Sequence, residues 1–143
     1  IPDRILLKPG KLTPEEYEVM KTHTTIGRGA VLAAEKLLSA DLSFLRFARE
    51  ITTSHHERWD GAGYPEGLRG TAIPLSARLM AVADVYDALI SRRVYKPALP
   101  HPEAVAAIES GAGTQFDPSV VGVFLELADA LRDAAGRFSE AAA

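Results

Sequence analysis

The sequence predicts an all-α protein, a compact helical bundle, on three observations. Apolar residues recur three and four positions apart in successive segments. Helix-start signals stand at the head of two of these segments, and no run alternates apolar with polar residues for long enough to make a convincing strand. With 143 residues, 47% of them hydrophobic, the chain is long enough for one domain with a real core.

Thr13-Pro14-Glu15-Glu16 opens the first helix. Thr13 caps, Pro14 suits the first turn, Glu16 takes the capping-box position, and the helix runs towards His23. Ile26, Ala30, Ala33, Ala34, Leu37 and Leu38 give a second amphipathic helix of about three to four turns. A third starts at Asp41 or Ser43, with Phe44, Phe47, Ala48 and Ile51 as its buried face and Arg46, Arg49 and Glu50 as its wet face. Residues 57–74 break the periodicity with Gly61, Gly63, Gly67, Gly70, Pro65 and Pro74. They make a long loop, ordered or mobile, of a kind that is uncommon in compact domains and often functional. Leu75 to Ile90 is apolar nearly all round, so the helix it forms is expected in the core. A second loop carries Arg92, Arg93, Tyr95, Lys96 and Pro97. A short helix follows from Pro102 to Ser110. Asp117-Pro118 then caps a last helix with Val120, Phe124, Leu127 and Leu131 on one face. The domain is expected over residues 1–138, with a frayed tail over 139–143.

Sixteen basic and nineteen acidic side chains give a net charge of -3 with no polybasic run, so DNA and RNA are not expected partners. The absence of cysteine excludes disulfides, thiolate metal sites and cysteine nucleophiles. No apolar run reaches the ~20 residues of a membrane span and no secretory signal opens the chain, so a cytoplasmic location is expected. The chain begins Ile1-Pro2-Asp3 without an initiator Met and reads as an excerpt of something longer.

The chemistry rests on histidines and one aspartate. His55 lies four residues after Ile51 and continues the buried face of its helix, and His56 follows about 100° around. The pair admits two readings: metal ligands, or a satisfied core histidine beside an exposed one. Taken alone it favours the second by about two to one, because a single His-His step lacks a defining ligand spacing. Asp84 shifts the balance. Set among Ala81, Val82, Ala83, Val85 and Ala88, its carboxylate is expected to be paired, hydrogen-bonded or metal-bound, since an isolated buried charge is prohibitively costly. An ion pair with Arg78 or Arg92 is its plain structural account. Asp87 reads as a partner for an arginine or a support for a ligand, and His23 as a surface residue or a ligand at a helix junction. His101, between two prolines in a loop, has no visible partner. If the histidines and Asp84 meet, imidazole plus carboxylate suits iron, manganese, zinc or nickel rather than copper(I). Such a site favours phosphoester hydrolysis.

The stretch His55-His56-Glu57-Arg58-Trp59-Asp60-Gly61-Ala62-Gly63-Tyr64-Pro65-Glu66-Gly67-Leu68-Arg69-Gly70 resembles the HD-GYP family, HD-superfamily phosphodiesterases acting on cyclic di-GMP. The match continues through Ala77-Arg78, the run from Val82 to Leu89, Arg93-Val94-Tyr95-Lys96, and Gln115-Phe116-Asp117-Pro118. Upstream, Ile1-Pro2-Asp3, the run from Leu6 to Leu12, and His23 also look like the family. A lone Gly-Tyr-Pro would be worthless, but this ordered series is specific. The resemblance implies a helical bundle of the HD-superfamily type. It carries the family's metal ligands onto His23, His55, His56 and Asp84, holding divalent ions, with iron or manganese favoured. It carries the substrate-contacting basic residues onto Arg93 and Lys96, which suit phosphate or guanine and for which a solvated basic loop is the plainer account. Tyr64 is read as packing near the substrate or as purely structural. The implied reaction is hydrolysis of cyclic di-GMP to linear pGpG or GMP, and GGDEF-domain proteins are implied partners. One departure stands out. No His-Asp pair occurs in these residues, and the family's dyad and its assisting lysine belong just before Ile1. The bundle is therefore expected to be N-terminally incomplete, binding metal weakly and hydrolysing little by itself. The rival readings are a catalytically silent cyclic dinucleotide-binding or GGDEF-interaction module, and an HD-type phosphohydrolase for another nucleotide.

Overall fold

The computed structural model describes residues 1–38, 43–91 and 98–140, the last four in backbone only. Among them run seven α-helices: α1 (Asp3–Leu6), α2 (Pro14–Lys21), α3 (His23–Leu37), α4 (Ser43–Ser54), α5 (Leu75–Ile90), α6 (His101–Ser110) and α7 (Pro118–Glu140). No strand occurs among the described residues; Ala112 and Phe116 make one isolated bridge. The predicted all-α bundle is what forms. The short α1 carried no sequence signal, and residues 141–143 of the expected tail lie outside the described residues.

Local chemistry accounts for the helix starts. The Thr13 hydroxyl accepts the Glu16 N–H at 3.3 Å while the Glu16 carboxylate accepts the Thr13 N–H at 2.8 Å, a complete capping box. Asp117 accepts the Ser119 N–H at 2.8 Å at the head of α7.

The core lies between α5, α6 and α7. Ala104 and Ile108 of α6 are fully buried, and the Tyr86 and Phe124 rings meet edge-to-face at 5.3 Å. Which faces are buried differs from the sequence reading in four places. In α3 the buried residue is Thr24, while Ile26 and Leu37 are 60% and 82% exposed. The reason is Gly27: a Cβ there would collide with Thr52 Cγ2 of α4, so α3 turns its glycine side to α4 and not its leucines. In α4, Phe44 and Phe47 are exposed while Thr53 and Ser54 at the other end are buried, because α4 packs on its neighbours through its C-terminal half. In α5 a narrow stripe of Ala77, Ala81, Val82 and Tyr86 is buried, and Leu75, Leu79 and Asp84 stay exposed, since the other helices cover one side of it. In α7 the stripe begins at Val120 and Phe124 as expected. It continues through Ala128, leaving Leu127 and Leu131 exposed.

The segment after α4 is an ordered loop. Buried Glu57 accepts the N–H groups of Glu66 (2.7 Å) and Leu68 (3.0 Å), and Gly70 N–H closes back onto Trp59 O at 3.0 Å. Trp59 and Asp60 donate to the carbonyls of Gln115 and Thr114, fastening the loop to the α6–α7 connection. Arg78 on α5 completes the frame. It donates to Ile73 O at 2.9 Å and pairs with buried Asp117 at 2.6 Å. His101 is not a partnerless loop residue. It opens α6, and its Nδ1 shares a 2.8 Å hydrogen bond with the Tyr86 hydroxyl.

Candidate metal centre

Two chain segments deliver three imidazoles to one point. His23 opens α3, directly after α2 ends, and His55 and His56 follow the last residue of α4. Their candidate ligand atoms all lie within 4.8 Å of one another. Ring centroids are 5.5 Å apart for His23 and His55, 5.0 Å for His23 and His56, and 4.0 Å for His55 and His56.

Two of the three rings are oriented by backbone. His23 Nδ1 lies 2.7 Å from Met20 O, and His55 Nδ1 lies 2.8 Å from Ile51 O. A carbonyl only accepts, so each Nδ1 donates, and in a neutral imidazole held this way Nε2 is the atom left to ligate. His56 reaches the same state by another route. Burial, and then the neighbouring His55 and His23, depress its pKa to about 4, against which Asp84 pulls upward. Near pH 7 it is neutral and able to ligate.

The loop supplies the wall. Tyr64 stacks on His56 at 4.9 Å and 30°, and its N–H donates to His56 O at 3.3 Å. Burial raises its hydroxyl well above the usual phenol range, so it keeps its proton. Gly63 is what permits this approach: a Cβ there would lie 2.6 Å from both Glu57 Cα and His56 O. The Tyr64–Pro65 peptide is cis.

Asp84 lines the same cleft, of about 360 Å³, with His55, His56, Arg58, Tyr64 and Gln115. It is exposed there, not buried, and its carboxylate stands outside the three-histidine group among the described residues. The expectation of a buried charge needing a partner is thus corrected: α5 turns Asp84 to the open cleft, where water solvates it. Arg78 is not its partner, being engaged by Asp117, and Arg92 lies outside the described residues. Asp87 is exposed and accepts the Ser91 hydroxyl at 3.2 Å. Arg93 and Lys96 also lie outside the described residues.

Sequence reasoning missed Glu57, Tyr17 and Lys21. Glu57 carries no local signal, because a loop acid that folds its own loop looks like any solvated acid. Tyr17 and Lys21 had one: at i, i+4 on the helix leading to His23, they share the face that meets Tyr64.

A family model described as the HD domain matches residues 1–120. The chain is 57% identical over 142 residues to a cyclic di-GMP phosphodiesterase of Vibrio cholerae, covering 99% of this chain and 29% of that protein. It is 52% identical over 134 residues to a cyclic di-GMP phosphodiesterase of Thermotoga maritima, covering 93% and 34%. Among solved structures, a cyclic GMP-AMP specific phosphodiesterase of V. cholerae superposes with a TM-score of 0.60 at 26% identity, over 87% of this chain and 29% of that one. The chain spans about a third of the length of the curated relatives it matches. No helix among the described residues is long and apolar enough to cross a membrane. With three converging imidazoles beside a Gly-Tyr-Pro loop, and this match over most of its length, the chain belongs to the HD domain family.

Proposed function

We propose that this domain is the metal-holding part of a phosphodiesterase that hydrolyses cyclic di-GMP in bacterial second-messenger signalling in the cytoplasm. The observation that carries the reading is the convergence of His23, His55 and His56, two with Nδ1 turned to a backbone carbonyl and the third neutral near pH 7, in a cleft walled by Tyr64. The names of the relatives supply the substrate.

The three histidines hold a divalent ion, with Asp84 contributing a carboxylate from the facing helix. Imidazole and carboxylate suit iron or manganese first, and accommodate zinc or nickel. A bound ion of this kind supplies Lewis acidity to a phosphoryl oxygen and lowers the pKa of water. The protein's own part is orientation. Met20 O and Ile51 O fix two ligand rings, and Gly63 and Glu57 hold the loop against the third. Tyr64, kept protonated by burial, presents a donor and a ring face to the nucleotide. Arg93 and Lys96 bind its phosphates, and linear pGpG or GMP is the product. GGDEF-domain proteins, which carry the opposing chemistry, are the proposed partners.

A second substrate has a specific observation behind it: the superposed solved structure is cyclic GMP-AMP specific. A substrate panel with the intact, metal-loaded protein decides between them, and faster turnover of 3'3'-cGAMP would replace cyclic di-GMP in this reading. His55→Ala or Asp84→Ala is expected to abolish both metal content, measured by elemental analysis, and hydrolysis. Full turnover by either variant would remove that residue from the site. Metal-loaded wild-type protein that binds cyclic di-GMP without cleaving it would make this a silent binding module.

A further inference from the structure

We infer that Lys21, with Tyr17 beside it, is a substrate-binding residue of this centre: its ammonium takes a phosphodiester oxygen and Tyr17 offers its ring to a nucleobase. The inference rests on the phosphodiesterase reading above and adds to it a wall of the cleft built from α2.

The geometry is a column that rises from the histidines. His56 lies at its base, Tyr64 stacks on His56 at 4.9 Å, and Tyr17 meets Tyr64 edge-on at 6.1 Å and 84°. Lys21 Nζ stands 5.7 Å from the centroids of both tyrosine rings. Both rings line the cleft and hold one ammonium beside it, and the lysine closes the helix that ends just before His23.

Charge makes this placement matter. A cyclic dinucleotide carries two phosphodiester anions. Asp84, which lines the same cleft, has the sign of the phosphates. Arg58, which lines the cleft, is held on both sides by Asp60, through Nε at 3.1 Å and Nη2 at 2.7 Å. Among the described residues Lys21 pairs with Glu18, at 2.6 Å, and the Glu18 side chain is 69% exposed. An exposed i,i+3 pair of this kind is worth at most about 1 kcal/mol and yields readily to a phosphate. The tyrosines remain to keep the ammonium beside the cleft when Glu18 lets go.

The plainer alternative is a staple: Lys21 merely joins α2 to the loop through the two rings. Steady-state kinetics on the intact, metal-loaded protein separates the two with Lys21→Met, which keeps the stem, and Lys21→Arg, which keeps the charge. Binding through Lys21 raises KM for cyclic di-GMP about tenfold in Lys21→Met, the worth of one charge-assisted hydrogen bond. It leaves kcat and metal content near wild type, flattens the salt dependence of KM, and is largely restored in Lys21→Arg. A staple lowers the melting temperature in Lys21→Met but leaves KM and its salt dependence unchanged, which would overturn the inference while hydrolysis by wild type upholds the enzyme. Wild-type protein that neither binds nor cleaves a cyclic dinucleotide overturns both.

Discussion

His56 shows how a single side chain can be read from its surroundings. Its ring is pressed between His55 and Tyr64, so the protonated form is disfavoured both by burial and by its imidazole neighbours. In the metal-free protein this has a signed consequence. The folded state binds the His56 proton only near pH 4, whereas the unfolded chain binds it near 6.5. Between those values the unfolded chain holds more protons, so stability falls as pH drops from 6.5 towards 4. Urea titrations of metal-stripped protein at pH 7 and pH 5 are expected to show this loss, and His56→Gln should reduce it. An equal loss in the variant would assign the pH dependence to other groups. Glu57 teaches the complementary lesson. It follows the histidine pair directly, and its carboxylate is spent on two backbone N–H groups of its own loop.

At the scale of elements, helix existence followed from pattern and caps, while helix orientation did not. α5 occupies the predicted span from Leu75 to Ile90, but an all-round apolar helix can be turned either way, and the choice fell on the stripe of Ala77, Ala81, Val82 and Tyr86. The α3–α4 pair was decided similarly, by one missing side chain. Gly27 abuts Thr52, so Gly27→Ala is expected to cost about 1–3 kcal/mol by overpacking. Adding Thr52→Ala should recover much of that loss, although it also removes the Thr52 hydrogen bond to Ala48 O. Chemical denaturation of the two single variants and the double variant measures the coupling, and strictly additive costs would refute the proposed contact.

At the scale of the whole molecule, one ion pair connects the parts. Arg78 reaches from α5 to the carbonyl of Ile73 at the end of the loop and to Asp117 at the head of α7, with its guanidinium 6.0 Å from the Trp59 ring centroid. Asp117 is 4% exposed. Arg78→Met leaves that carboxylate buried without its cation, and a loss of about 3 kcal/mol is expected. Thermal unfolding checks the magnitude. A change below about 0.5 kcal/mol, the range of an ordinary surface substitution, would mean that the pair does not organise the fold.

The sequence by itself determined the all-α class, the approximate spans of the longer helices, the Thr13 and Asp117 caps, and the candidate histidines, because these depend on residues close in the chain. The ordered motif series also pointed to the family. What only the tertiary structure decided is which residues meet. His23 lies far from His55 and His56 in sequence, yet the α2–α3 junction and the end of α4 bring the rings together. Burial was decided there too: Asp84, Phe44 and Leu127 all sit in apolar patterns and are all exposed. Periodicity identifies a helix face that can be covered, whereas covering it requires a neighbour of the right shape, and that is set by contacts such as Gly27 on Thr52 across the fold.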